Sequence, residues 1–146
     1  MKLTTKDLRK LIREALNESL SIKTYYHGGD ASHNLWYNGV LWLTPQDYYA
    51  KAYAKDPRNK KPIMYEIKIN ESKLKPASLY YFNDDFDPYE GPEKEDIPAI
   101  LADGYNCYFM DYDSYDAEGL CLFSKEPILS IRPLAQEEYN NIEDVE

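Results

Sequence analysis

Three short segments of the chain carry side chains that could perform chemistry together. His27 stands directly before two glycines, and Tyr53 follows Trp42 by 11 residues. Glu118 precedes a late apolar run and follows a polar turn. Aromatic rings hold planar or cationic groups by stacking, and a carboxylate stabilises positive charge that develops in a transition state. Together these residue types suit a site that holds a planar ligand and stabilises charge beside it.

Short strands and helices are predicted to position these side chains. Apolar alternation and apolar runs predict strands at 24–26, 40–43, 64–70, 79–82, 107–110, 120–123 and 128–131. Helices are predicted at 4–18, 45–55 and 97–102, with Thr44 as the N-cap and Pro45 as the first residue of the second helix. His27 then follows the first strand, and Tyr53 lies on the helix after Trp42. The fold class is α+β with a mainly antiparallel sheet.

Composition limits the class of protein. The 146 residues, 43% of them hydrophobic, suffice for one domain with a core. A net charge of −9 argues against a nucleic-acid partner, since phosphate binding needs clustered positive charge. Because no apolar run approaches the ~20 residues of a membrane span, no membrane partner is expected. The two cysteines, Cys107 and Cys121, are too few for a disulfide framework or a four-ligand zinc site, so we expect no metal and a cytoplasmic setting.

Each of these residues also has an ordinary structural interpretation. A lone histidine at a strand end is often satisfied by backbone groups, and Trp42 and Tyr53 could be core residues. Glu118 by itself could be a surface charge at the start of a strand. His33 lies in a polar stretch and is expected to be exposed. Only the ordered combination favours catalysis.

The order and spacing of the segments resemble the ADP-ribosyltransferase fold, in its histidine–aromatic–glutamate branch of diphtheria-type toxins and poly(ADP-ribose) polymerases. In that branch a strand ending in His-Gly precedes a strand–helix unit with two aromatics about 11 residues apart, and a glutamate opens a late strand. The resemblance covers residues 24–133, and the stretch 104–108 is similar to a segment that precedes the glutamate strand. It implies a split, mainly antiparallel sheet with a few short helices.

The resemblance also implies roles for five residues. His27 would bond a ribose hydroxyl of NAD, and the backbone of Gly28 would hold the nicotinamide carboxamide. Trp42 and Tyr53 would sandwich the nicotinamide ring, and Glu118 would bond the 2′-hydroxyl of its ribose and stabilise the ribosyl cation. NAD is then a consumed substrate, and the implied activity is mono-ADP-ribosyl transfer to a macromolecule, a host or target protein.

Three further features bear on the acceptor, on the nicotinamide ring and on the pyrophosphate of NAD. Asp116, two residues before Glu118, resembles the paired acids of enzymes that modify arginine, with a shorter first acid, and is expected in the loop that meets the acceptor. Trp42 stands where relatives have tyrosine. Arg58 and Lys60 are the candidates for contacting the pyrophosphate.

The chain is predicted to have three parts: an N-terminal amphipathic helix at 1–20, the ADP-ribosyltransferase-like domain at 23–134, and an acidic tail at 135–146. The helix could pack on the domain, bind a partner groove, or act as a leader, since it resembles the leader helices of internal head proteins in tailed phages. A leader would imply packaging in a virion and delivery to a host cytoplasm.

Alternative functions use the same residues differently. The chain could be a non-catalytic acidic binding module or virion protein that keeps the fold, or an NAD glycohydrolase with water as the acceptor. The acidic clusters at 84–87 and 111–116 could also bind calcium, although the second cluster lacks the glycine and the terminal glutamate of a calcium loop. Solvated loops are the simpler interpretation.

Overall fold

Two small antiparallel sheets form the framework in a computed structural model, which describes residues 4–19, 21–112 and 117–144. The strands within these residues are β1 (Ile22–Asp30), β2 (Leu41–Leu43), β3 (Pro62–Asn70), β4 (Cys107–Tyr112), β5 (Ala117–Leu122) and β6 (Ile128–Pro133). The two sheets have the strand orders β1–β3–β6 and β2–β5–β4. The predicted α+β class with antiparallel pairing is confirmed.

Four α-helices accompany the strands in the described residues: α1 (Thr5–Ser19), α2 (Asp47–Ala54), α3 (Ile97–Ala102) and α4 (Gln136–Asn141). None of these helices is both long enough and apolar enough to cross a bilayer. The N-terminus of α1 is capped, because the Thr4 hydroxyl accepts the Asp7 N–H at 3.1 Å and the Asp7 carboxylate accepts the Thr4 N–H at 3.3 Å. The apolar side chains of Leu8, Leu11 and Ile12 on α1 are about half exposed.

Strand β1 is longer than predicted. The sequence placed its end at Tyr26, because the following glycines disfavour strands. The strand instead continues to Asp30, which pairs with Pro62 at the far end of β3. Nine successive pairs with β3 outweigh the weak strand propensity of the two glycines. His27 and Gly28 therefore lie within a strand rather than in a turn after it.

The start of α2 also differs from the prediction. The helix begins at Asp47, so Thr44 is not its N-cap and Pro45 is not its first residue. Thr44 instead extends β2 toward β1, where its backbone exchanges hydrogen bonds with Tyr26 at 2.7 and 3.0 Å. The chain enters the helix only after this pairing ends.

Two further elements differ from the prediction. The strand predicted at 79–82 is a 3₁₀ turn, Leu79–Tyr81, since the Ser78 hydroxyl accepts the Tyr80 N–H at 3.2 Å. Strand β5 begins three residues before the predicted Leu120, because it pairs with β4 as far as Ala117. Glu118 is consequently a strand residue opposite Asp111.

The main core lies between the two sheets. Residues of β1, β2, β3, β4 and β5 meet there, and each of them is almost completely buried: Tyr25, Leu41, Leu43, Ile67, Ile69, Cys107, Leu120 and Leu122. Burial of this apolar surface holds the sheets face to face, while the Tyr26–Thr44 bridge joins them through the backbone. In the described residues, β1 and β2 show no backbone pairing beyond that bridge.

The C-terminal segment packs against α2. Lys51 of α2 is only 6% exposed, and its ammonium group has three partners there. It donates to the Ile142 carbonyl at 2.6 Å, pairs with Asp144 at 3.4 Å and lies 5.0 Å from the centre of the Tyr139 ring. Because a buried charge is costly unless it is paired, these contacts fix the tail against the helix.

Both cysteines are buried and free. Cys107 lies on β4 and Cys121 on β5. Burial raises the pKa of each thiol to about 12, so both stay protonated at neutral pH. The two thiols are packing residues of the β2–β5–β4 sheet.

Removing one buried hydroxyl should leave the protein at least as stable as before. The Tyr25 hydroxyl is buried with no hydrogen-bond partner in the described residues, so Tyr25→Phe should raise the free energy of unfolding by up to about 1 kcal/mol. The matched change Tyr108→Phe removes a hydroxyl that donates to the Pro88 carbonyl at 2.7 Å, and should lower it by about 1–2 kcal/mol. Urea unfolding measures both; a clear loss of stability in Tyr25→Phe would contradict this account.

Candidate active site

A cavity of about 250 Å³ opens where the two sheets separate. Its walls come from β1, β2, α2 and the loop at 83–96, and six of its residues carry rings. Its lining consists of Tyr26, His27, Gly28, Trp42, Leu43, Thr44, Tyr49, Ala50, Tyr53 and Tyr89. Four of the residues predicted from the sequence, His27, Gly28, Trp42 and Tyr53, thus lie around one space.

The cavity exists because an imidazole interrupts the pairing of β1 with β2. After the Tyr26–Thr44 pair, a continued antiparallel ladder would join Gly28 to Trp42. The Trp42 carbonyl instead accepts a hydrogen bond from Nδ1 of His27 at 2.7 Å. Since backbone groups two residues apart point to the same edge of a strand, the N–H and C=O of Gly28 face the cavity, as those of Tyr26 face Thr44.

His27 is held in one protonation state. Burial lowers the pKa of its imidazole, and the hydrogen bond to Trp42 opposes this more weakly. The ring is therefore neutral at neutral pH, and it carries its proton on Nδ1, because a carbonyl can only accept. Nε2 keeps its lone pair and forms no hydrogen bond within the described residues. A neutral imidazole in this tautomer can accept a hydrogen bond from a hydroxyl group.

Gly28 is required by helix packing as well as by the cavity. A Cβ at this position would overlap the Ala50 carbonyl oxygen and lie 2.8 Å from its carbon. The backbone of α2 therefore lies directly on β1, with only the glycine between them. This close approach brings the aromatic side chains of α2 to the edge of β1.

Two pairs of aromatic rings support the cavity walls. Trp42 packs edge-on against Tyr108, with ring centres 6.4 Å apart. Tyr53 packs edge-on against Tyr49 at 5.1 Å, and their hydroxyls are 3.1 Å apart. Tyr49 was not predicted as a site residue, although its place one helical turn before Tyr53 is a signal that could have found it. The part played by Tyr89 has no comparable sequence signal.

Glu118 is close to the site but does not line the cavity. It is exposed, and its backbone N–H donates to the side-chain oxygen of Gln46 at 2.8 Å. The same oxygen accepts the Thr44 hydroxyl at 3.1 Å, and Thr44 forms part of the cavity wall. A three-residue hydrogen-bonded path therefore ties the start of β5 to the cavity. Gln46 was missed by the sequence analysis, because this contact spans 72 positions.

The remaining predicted residues have different placements. Asp116 lies outside the described residues. The Arg58 guanidinium lines an adjoining cavity of about 330 Å³ together with Gly28, and it pairs with Asp56 through contacts of 3.0 and 2.7 Å. This pairing lowers the pKa of the Asp56 carboxyl to about 2. The Lys60 backbone N–H donates to Asp30 at 2.9 Å. Across the described ranges, no group of three or more His, Cys, Asp or Glu side chains is placed to hold a metal ion.

Comparisons with protein-family models, curated proteins and solved structures find no match to this chain. The geometry that bears on function is the cavity with its rings, the neutral imidazole and the backbone edge of Gly28.

Adding one methyl group at Gly28 should disrupt the packing of α2 on β1. We expect Gly28→Ala to destabilise the protein by about 3 kcal/mol or more, because the overlap is with backbone and cannot be relieved by a rotamer change. Gly29→Ala is the matched control, since its Cβ would come no closer than 3.3 Å to Nε2 of His27. Thermal unfolding compares the two variants; equal melting temperatures would exclude the direct helix–strand contact.

The neutral state of His27 predicts a pH dependence of stability. Because the folded pKa lies below the ordinary value of about 6.5, the unfolded chain binds more protons just below pH 6.5. The stabilising contribution is complete above that pH and falls as the pH drops toward the folded pKa. In His33→Asn, His27 is the one histidine left, so its proton NMR titration reads this pKa directly. A midpoint at or above 6.5 would refute the assignment.

Proposed function

We propose that this chain is a mono-ADP-ribosyltransferase, which transfers ADP-ribose from NAD to a macromolecular acceptor, a protein, and releases nicotinamide. One observation carries the proposal: His27, Gly28, Trp42 and Tyr53, drawn from two strands and a helix, line the same cavity. These are the residues to which the resemblance gives roles in binding NAD. Two antiparallel sheets joined by one backbone bridge also suit the split sheet of that fold.

The cavity suits one end of NAD rather than the whole molecule. At about 250 Å³ it is smaller than the ~300–1,000 Å³ of sites that enclose a complete drug-sized ligand. Its ring-rich walls suit a flat pyridinium, which aromatic faces attract by stacking and by cation–π interaction. The rest of the dinucleotide would extend along the adjoining cavity past Gly28 and Gly29 to Arg58.

The polar groups of the cavity complement the nicotinamide end of NAD. A carboxamide has one donor group and one acceptor group, and the N–H and C=O of Gly28 offer the matching pair. Nε2 of neutral His27 can accept a hydroxyl of the adjacent ribose. These contacts hold the ring and its sugar in a fixed orientation, which lowers the entropic part of the barrier.

The reaction breaks the bond between C1′ of the ribose and the ring nitrogen. The bonding electron pair moves onto the pyridinium, which leaves as neutral nicotinamide, and the sugar becomes oxocarbenium-like. The nucleophile of the acceptor then attacks C1′ and releases its proton to water. Glu118 would stabilise that cation, since its charge is most effective where positive charge develops. The path through Gln46 and Thr44 holds the start of β5 beside the cavity wall that the sugar would pass.

Neutralising Glu118 should slow the chemistry without weakening NAD binding. We expect Glu118→Gln to reduce the rate of nicotinamide release by on the order of 10²–10³, the cost of losing one transition-state contact. The affinity for NAD, measured by calorimetry, should change little, because the carboxylate acts after the ring begins to leave. The assay is nicotinamide release from NAD with and without a cell extract as the source of acceptor.

Glu126→Gln is the matched control, since Glu126 is an exposed glutamate in the turn before β6. Equal, nonzero rates for wild type and Glu118→Gln would remove Glu118 from the mechanism. Nicotinamide release with no labelling of any macromolecule would identify an NAD glycohydrolase. Absence of NAD binding by the wild type would refute the enzyme and favour a binding module.

A further inference from the structure

Tyr89 is placed at the cavity by a turn that is fixed on both sides of it. Its backbone N–H donates to the Asp87 carboxylate at 2.9 Å, and the Gly91 N–H donates to the Asp87 carbonyl at 3.1 Å. The Pro88 carbonyl accepts the Tyr108 hydroxyl at 2.7 Å. These contacts fix the backbone of the loop at 83–96 on both sides of Tyr89.

The same turn packs directly on Trp42. Gly91 has φ +80°, a conformation that favours glycine, and a Cβ there would lie 3.1 Å from Cζ2 of Trp42. Tyr108 contacts this unit from the other side, since its ring packs against Trp42 and its hydroxyl bonds the turn. Trp42 and Tyr89 thus belong to one packed unit that borders the cavity.

Tyr89 lines the cavity and is nevertheless largely exposed. It is 62% exposed, which places it at the mouth. A side chain at the mouth of a cavity loses exposure when a ligand enters, and a turn that is already fixed loses little further freedom. Trp42, Tyr53 and Tyr89 together place three electron-rich rings around one small space. Such rings attract a cationic group more strongly than a neutral group of the same shape.

We infer that Tyr89 is a third aromatic wall of the donor site and favours NAD over NADH. The inference rests on the proposed function for the identity of the ligand. The pyridinium of NAD carries a positive charge, whereas the dihydropyridine ring of NADH is neutral. The attraction exists while NAD is intact and disappears as neutral nicotinamide leaves. Tyr89 therefore lowers KM without raising kcat, the reverse of the effect expected for Glu118.

Three variants test this role. Tyr89→Ala removes the ring, Tyr89→Phe keeps the ring and removes the hydroxyl, and Tyr80→Ala removes a tyrosine that is 97% exposed and does not line the cavity. Calorimetric titrations with NAD and with NADH give the affinities, and nicotinamide release gives KM and kcat. Thermal unfolding checks that each variant is folded, which is expected because both tyrosines are exposed.

Tyr89→Ala should weaken NAD binding and raise KM by about two- to thirtyfold, with kcat unchanged or higher. Tyr89→Phe and Tyr80→Ala should stay within about twofold of the wild type, and the weaker binding of NADH should change little in Tyr89→Ala. The inference is overturned if Tyr89→Ala binds NAD as the wild type does, if NADH binding falls by the same factor, or if Tyr89→Phe loses as much as Tyr89→Ala. A wild type that binds no NAD refutes the proposed function itself, and the role of Tyr89 falls with it.

Discussion

The arrangement of the site depends on one backbone contact, in which α2 lies against β1 at Gly28. Only a residue without a side chain permits this approach, because the Ala50 carbonyl occupies the direction in which a Cβ would point. The contact sets the distance between the strand that carries His27 and the helix that carries Tyr53. The C-terminal segment also holds α2, through Lys51. The helix is thus fixed both by β1 and by the C-terminal segment.

A second constraint acts at the seam between the sheets. The bridge between Tyr26 and Thr44 brings β1 and β2 together. At the next residue of β1, the His27 side chain bonds the Trp42 carbonyl, which a continued ladder would have paired with Gly28. The imidazole therefore has two effects at once. It separates the strands, and it leaves the backbone groups of Gly28 on an open edge. An incomplete sheet thus leaves backbone groups of a strand open to the cavity.

Local sequence patterns predicted most elements, and long-range contacts account for most of the differences. The amphipathic period of α1 and the alternation of β3 are local properties, so both elements were predicted near their true bounds. The extent of β1 depends on its partner β3, which no local pattern reveals. Gln46 reaches Glu118 because β5 pairs with β2, a contact between distant parts of the chain. Tyr89 lies in an acidic loop where nothing in the adjacent residues shows which ring turns toward the cavity.

The buried thiols described above give the molecule an intrinsic reporter of sheet opening. Cys107 and Cys121 lie on adjacent strands of the sheet that carries Trp42, and solvent does not reach them in the folded state. An alkylating reagent can react with them only during excursions that open this sheet, since the thiolate is the reactive form and burial suppresses it. The rate of alkylation therefore measures how often one wall of the cavity comes apart, without any label or engineered probe. A ligand held against Trp42 would slow that rate in proportion to its occupancy.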